Sequence, residues 1–174
     1  MIYAVALAGA AVVASFWAAP GLEGAAGAAL ACLMAAIAVS DWRRFRVPDA
    51  LSALAFALRG LDIIVSPGLQ RAEAALDALF RALLLFAVFH AFRALYGWLR
   101  RREGMGLGDV KLAGVAGAWI GWPLLPWVIE AAAVVGFCIA FARRKRAGPQ
   151  MRLPFAVGFA PAIWFGWWLE RLGV

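Results

Sequence analysis

Two aspartates stand beside apolar stretches of membrane-spanning length, and they are the residues of this chain best suited to chemistry. Asp41 lies in the stretch SDWRRFRVP and Asp109 lies in GMGLGDVKL. A carboxylate at the edge of a bilayer is costly to desolvate, so each of them requires a physical reason. Two close carboxylates do not both ionise cheaply, and a pair that shares one proton can activate water for peptide hydrolysis.

Glycines precede the second aspartate and leave its loop bare of side chains. Gly106 and Gly108 can adopt backbone angles that other residues avoid, and they let another chain approach closely. An extended substrate has to lie across Asp109 to be cut, so such a loop suits a protease. The same glycines could instead pack membrane helices together. A phosphate-binding loop is excluded, because no Walker-type Gly-Lys-Ser/Thr is present.

The charged residues around the two aspartates also allow plainer interpretations. Lys111 is either an anchor to lipid headgroups or a positive charge that holds the pair. Asp41 could cap a helix or pair with a neighbouring arginine. Pro48 and Asp49 are typical of a helix start, with proline near the first turn and an acid at the positive end of the helix dipole.

The composition indicates a membrane protein. The chain has 174 residues, of which 66% are hydrophobic, and its mean hydropathy is +0.84. A soluble domain is about 45–50% apolar. We therefore expect residues 1–174 to form a single membrane-embedded domain with lipids as partners. The net charge of +7 lies in short loops between apolar runs, which argues against nucleic acid as a partner.

The apolar runs predict an all-α fold, a polytopic bundle of about six to seven transmembrane helices. The first run lacks a preceding basic segment, so we interpret it as a retained span rather than a cleaved signal peptide. The fifth run is short, and we expect it to begin inside the protein body rather than to face lipid. The predicted spans are residues 2–18, 22–40, 49–65, 75–96, 108–121, 123–142 and 154–171.

Basic residues predict the orientation of the bundle. They cluster in three loops that are separated by two spans each, so all three loops can face the cytoplasm. The N-terminus is then cytoplasmic, the C-terminus is outside, and both aspartates lie at the cytoplasmic edge of the inner membrane. The two aspartates come out at the same depth, although the orientation was deduced from lysines and arginines alone. This agreement is independent support for a pair. The basic residues are Arg43, Arg44, Arg46, Arg100, Arg101, Arg102, Arg143, Arg144, Lys145, Arg146 and Arg152.

No residue cluster predicts a metal or cofactor. His90 is the single histidine and has no second ligand near it in the sequence. Cys32 and Cys138 each lie inside an apolar run without a CxxC neighbour. We expect both cysteines to be small core residues rather than a disulfide or metal ligands.

Three of the further charges inside the predicted spans call for partners. Glu130 lies in the sixth span, and Arg81 lies at a similar depth in the fourth. Arg59 is well inside the third span. Because charges of opposite sign within a membrane usually pair, we expect a structural ion pair between Glu130 and Arg81 or Arg59.

Three motifs, in their order and spacing, resemble those of the type IV prepilin peptidases, which are membrane aspartic proteases with a GxGD motif. The resemblance covers about residues 25 to 165, and its motifs are Asp41 with Val47-Pro48, then Gly106 to Leu112, then Pro154 to Ala156. It implies that Asp41 and Asp109 are the catalytic pair and that Gly106 and Gly108 shape the loop. Lys111, Pro48 and Asp49 would support the site, although the family usually has asparagine at the position of Asp49.

The resemblance also implies an activity. Family members cut the basic leader of prepilins or pseudopilins on the cytoplasmic side, after a glycine, and they need no cofactor. Larger members carry an N-terminal domain with paired CxxC cysteines and also methylate the product. This sequence shows no such domain, so it resembles the short peptidase-only form of Tad/Flp pilus systems, and methylation is not expected. Presenilin-type proteases fit less well, since Ser40 rather than tyrosine precedes Asp41.

A different class of function competes with the protease interpretation. A non-catalytic scaffold of a pilus or secretion assembly would tolerate amidation of both aspartates. A transporter is less favoured, because the sequence shows neither paired broken spans nor an inverted repeat. If the chain is a protease, we expect the acids Asp49 and Glu103 to attract the basic leader, because the nearby loops are basic.

Overall fold

The computed structural model of the protein describes residues 2–65, 70–101, 105–143 and 155–173. These residues form seven α-helices and no strand, which confirms the predicted all-α bundle. The fourth helix is longer than predicted at both ends, the second continues to Arg44 instead of ending at residue 40, and the other bounds agree within two residues. The helices are α1 (Ile2–Ala18), α2 (Leu22–Arg44), α3 (Asp49–Val65), α4 (Arg71–Arg100), α5 (Leu107–Trp119), α6 (Leu125–Arg143) and α7 (Ala156–Leu172).

Two helices, α2 and α4, are long and apolar enough to cross a bilayer. Shorter apolar stretches occupy Ala4–Ala18 in α1 and Leu125–Ile139 in α6. Large apolar side chains also cover the outside of the bundle, as with Leu83 and Phe92 on α4. Apolar surface that is exposed to this extent suits contact with lipid. The helices therefore have the properties of a membrane protein.

Helix α5 lies at the centre of the bundle. From Leu112 to Trp119 every residue is buried, and the helix packs against α3, α4 and α7. It has 13 residues, so it is about 20 Å long and shorter than the hydrocarbon core of a bilayer. The prediction that this short helix lies inside the protein body is confirmed.

Glycines allow α4 and α5 to approach backbone to backbone. A Cβ atom added at Gly117 would lie 2.5 Å from the carbonyl oxygen of Arg81, and one at Gly114 would lie 3.5 Å from that of Ala82. Only a residue without a side chain fits the first of these positions. The small residues of α5 thus bring it against α4 with little room between them.

The ion pair predicted between Glu130 and Arg81 or Arg59 does not form. The Arg81 guanidinium contacts Asp77, one turn earlier on its own helix, and Arg59 contacts Asp62, one turn later on its own helix. Glu130 is exposed on α6, where it has no charged partner among the described residues. The reason is topological, since α6 packs mainly against α7, whereas both arginines face α5.

The two cysteines do not lie in the core as predicted. Cys32 and Cys138 are both free thiols on the outside of the bundle. Lipid is as apolar as a protein core, so a lipid-facing cysteine and a core cysteine both have apolar neighbours in the sequence. Hydrophobicity therefore did not distinguish the lipid-facing surface from the core.

Replacing Gly117 by alanine tests the close packing of α4 and α5. We expect Gly117→Ala to lower the free energy of unfolding by about 2 kcal/mol, because the new methyl group meets backbone that has no alternative rotamer. Gly60→Ala is the matched control, since a Cβ at Gly60 meets nothing within 4 Å. The control should be neutral or stabilising by up to about 1 kcal/mol. Thermal unfolding in detergent micelles measures both, and equal midpoints would contradict the packing.

Candidate active site

Asp41 is held at the carboxyl end of α2 by the turn that follows the helix. Its side chain is buried, with 6% of the residue exposed. The helix ends because Phe45 adopts the left-handed conformation, at φ 50°, and donates its amide to the Asp41 carbonyl at 2.9 Å. The Ser40 hydroxyl donates to the carbonyl oxygen of Arg46 at 2.9 Å. This turn brings Val47 back into the core, where it is buried.

Asp109 lies in the first turn of α5. The helix begins after Gly106, whose carbonyl accepts the Asp109 amide at 3.2 Å. The Asp109 carboxylate turns back toward Gly106, with its Oδ2 atom 3.6 Å from where a Cβ would stand on that glycine. An acid at this position faces unpaired amides and the positive end of the helix dipole. Asp109 is only half-buried, so water can reach it.

The two motifs meet where Val47 packs against Gly108. A Cβ atom at Gly108 would lie 2.6 Å from the Cβ of Val47, so this contact requires glycine. This contact joins the turn after Asp41 to the first turn of α5, so the two carboxyl groups lie at the same end of the bundle. Such a pair can hold one acid and one base at one place, which is the requirement for adding water to a peptide bond.

The amino end of α7 forms a third side of the site. The backbone amides of Ala156 and Val157 face the Asp41 carboxylate. Its Oδ2 atom is nevertheless buried without a hydrogen-bond partner among the described residues. Reasoning from residue chemistry missed this element, and only the resemblance pointed to the Pro154 to Ala156 motif. Pro154 itself lies outside the described residues.

Lys111 and Asp49, which the sequence singled out separately, form an ion pair at 2.6 Å. Asp49 is the first residue of α3 and follows Pro48, whose carbonyl accepts the amides of Leu51 and Ser52. The predicted helix start is therefore confirmed. The Asp49 side chain is 75% exposed, so the pair contributes about 0–1 kcal/mol. Its position ties the start of α3 to the first turn of α5.

A residue that the sequence analysis did not consider also contacts the loop. Arg93 on α4 donates from its Nε atom to the carbonyl oxygen of Met105 at 3.1 Å. The only feature of the sequence that could have pointed to Arg93 was its charge within an apolar helix. Glu103, which was expected to attract the leader, lies outside the described residues.

Metal ligands are not grouped in the part of the chain that the structure describes. There, no three side chains of histidine, cysteine, aspartate or glutamate come together in a way that could hold an ion. The chemistry of the site is therefore considered from its two carboxyl groups.

A double substitution tests the contact between the two motifs. We expect Gly108→Ala to lower the thermal unfolding midpoint by several degrees, because the methyl group would overlap the Cβ of Val47. Adding Val47→Gly should restore part of the loss, whereas adding Val47→Ala should not, since alanine keeps the Cβ. Gly106→Ala is the control, since its Cβ would make only ordinary contacts. Equal effects at both glycines would contradict the contact.

Comparison with known proteins places this site in a family context. The model of the type IV leader peptidase family matches residues 28–141. The chain is 31% identical over 148 residues to a prepilin leader peptidase/N-methyltransferase of Aeromonas salmonicida (strain A449), which covers 83% of this chain and 49% of that protein. A protein of the same name from Burkholderia pseudomallei (strain K96243) is 34% identical over 155 residues, covering 84% of this chain and 48% of the relative.

A third similar protein, again named prepilin leader peptidase/N-methyltransferase, comes from Pseudomonas aeruginosa (strain PAO1). It is 36% identical over 94 residues, which are 53% of this chain and 31% of the relative. The chain thus spans about half the length, or less, of the curated relatives that it matches. No solved structure gives a significant match.

Proposed function

The chain belongs to the type IV leader peptidase family, and on that premise we propose that it is a membrane aspartic endopeptidase that cuts the leader from type IV prepilins or pseudopilins. The substrate class follows from the family and from the names of the relatives. The chemistry follows from the site. The methyl transfer in the relatives' name is not part of the proposal.

One observation carries the proposal. Two carboxyl groups from separate motifs meet at one end of the bundle, Asp41 from α2 and Asp109 from α5. The Oδ2 atom of Asp41 has no hydrogen-bond partner among the described residues and is buried beside the amides that open α7. A buried carboxyl oxygen without a partner is energetically unfavourable in a purely structural role. A shared proton, a water molecule or a peptide carbonyl would satisfy it.

The reaction needs only the pair and one water molecule. One carboxylate takes a proton from water as the water oxygen attacks the carbonyl carbon of the scissile bond. The protonated partner donates a hydrogen bond to the carbonyl oxygen and stabilises the tetrahedral intermediate. A proton then passes to the amide nitrogen, the C–N bond breaks, and an amine and a carboxylic acid leave. The pair ends with the single proton with which it began.

We further propose that the site faces the cytoplasm from the inner membrane. Arg44 and Arg100 end α2 and α4, at the same end of the bundle as the aspartates. Their positive charge favours the cytoplasmic side. Asp49 is exposed at this end and is the acid that we expect to attract a basic leader, although Lys111 partly neutralises it.

Amidation of each aspartate tests the mechanism. We expect Asp41→Asn and Asp109→Asn each to reduce cleavage at least about 100-fold, because general acid–base catalysis by a carboxyl group is lost. Glu73→Gln is the matched control, since Glu73 is exposed in the first turn of α4. The assay is leader removal from a prepilin in proteoliposomes, with thermal unfolding of each variant as a check on folding.

The outcome distinguishes the protease from the non-catalytic alternative. If wild type cuts and either asparagine variant retains its rate, the aspartic mechanism is wrong. If wild type cuts no prepilin while both amidated variants still support pilus assembly in cells, the scaffold function takes its place.

Accessibility of single cysteines tests the orientation. In a Cys32→Ala/Cys138→Ala background, Arg101→Cys should react with an impermeant maleimide only from the cytoplasmic side. Gln70→Cys, at the opposite end of α4, should react only from the outside. The reverse pattern in right-side-out and inverted vesicles would contradict the cytoplasmic site.

A further inference from the structure

Side chains from other helices bind the carboxyl end of helix α5 and the loop before its amino end. The last carbonyl groups of a helix have no partners within it, and lipid offers none. Because α5 ends inside the bundle, other helices must supply the donors. The described contacts show that they are arginines.

At the carboxyl end of α5, the buried Arg81 and the partly buried Arg59 donate to successive carbonyl groups. The Nε atom of Arg81 lies 3.0 Å from the Gly117 oxygen, and the Nε atom of Arg59 lies 3.1 Å from the Ala118 oxygen. Cations at this end also complement the negative pole of the helix dipole. The Arg81 guanidinium also contacts Asp77, and this contact restricts the rotamers of the Arg81 side chain.

At the amino end, Arg93 holds the loop that carries the second aspartate. Its Nε atom donates to the carbonyl oxygen of Met105 at 3.1 Å. Met105 immediately precedes Gly106, toward which the Asp109 carboxylate turns. Through this hydrogen bond Arg93 acts on the backbone of the loop that leads into Asp109.

The contacts have the same separation in sequence on both sides, although Met105 lies in the loop before α5. Arg81 and Arg93 are twelve residues apart on α4, and the oxygens that they bind, on Gly117 and Met105, are also twelve residues apart. In a continuous helix, twelve residues span about 18 Å. Because α4 runs without interruption from Arg71 to Arg100, it sets a fixed distance between the two contacts.

We propose that Arg93 and Arg81 are positioning residues that fix the height of Asp109 relative to Asp41, with α4 as the rigid element between them. The close approach of Gly117 to the backbone of Arg81 leaves no room for α5 to slide. Release of the Met105 carbonyl would let the loop move while the rest of α5 stays packed. This inference rests on the proposed function when it is tested by cleavage of a prepilin, and it does not when the position of the loop is measured directly.

Arg93 is the better of the two residues to test. Loss of Arg81 would leave Asp77 without its charged partner and the Gly117 carbonyl without the donor of Arg81, so that variant could fail to fold. Arg93 is only half-buried, and Arg93→Met keeps most of its length while it removes the donor. Arg93→Lys keeps a donor and a charge.

The first measurement is cleavage in proteoliposomes of a prepilin with a basic leader, a glycine and an apolar helix. We expect Arg93→Met to lower kcat at least tenfold with KM within twofold, because the loop is misplaced but the substrate still binds. Arg93→Lys should recover part of kcat. Arg100→Met is the matched control, since Arg100 is exposed on the same helix, and it should keep the wild-type kcat.

The second measurement does not depend on activity. In a Cys32→Ala/Cys138→Ala/Met105→Cys background, the rate of maleimide labelling reports the exposure of the loop. We expect Arg93→Met to speed labelling at least threefold and Arg100→Met to leave it unchanged.

The two measurements separate the failure of this inference from the failure of the proposed function. If wild type cuts and Arg93→Met leaves either kcat or labelling unchanged, Arg93 is not a positioning residue. If wild type does not cut, the proposed function fails, and labelling alone decides whether Arg93 holds the loop. A fall in the unfolding midpoint that Arg93→Lys does not reverse would reduce the residue to a structural role and overturn the inference.

Discussion

The burial of a helix too short to cross a bilayer is the constraint on which the rest of this structure depends. Helix α5 carries Asp109 at one end and finishes inside the protein at the other. Lipid cannot satisfy the free backbone groups at its ends, so the protein has to do so. Charged side chains that would be unfavourable elsewhere in a membrane are therefore stabilised here, as Arg59 and Arg81 are by the carbonyl oxygens that they bind.

Glycine makes this central position possible at two separate places. Gly117 admits the backbone of α4, and Gly108 admits Val47 from the turn that follows Asp41. The first contact fixes α5 against α4, and the second joins the two aspartate motifs. Both carboxylates then face the amino end of a helix, Asp109 that of α5 and Asp41 that of α7. The positive poles of these helices reduce the repulsion between the two acids.

Reasoning from the sequence succeeded for each helix and failed for most contacts between helices. The apolar runs and the turn residues between them predicted the helix bounds, and the shortness of the fifth run predicted its burial. The pairing of Glu130 was wrong because the partner of Arg81 lay one turn away on the same helix. Lys111 and Asp49 were both identified, but their contact joins residues 62 positions apart and no local pattern predicts it.

The sequence by itself determined that the chain is a helical membrane protein and which two carboxyl groups require an explanation. Both conclusions depend on transfer energies of single residues, which do not depend on the fold. The tertiary structure alone decided which side of each helix faces a neighbour, as for Cys32 on the outside and Arg93 against the aspartate loop. In a membrane chain the lipid-facing and protein-facing sides are about equally apolar, so the periodicity that identifies a buried face in a soluble helix is absent.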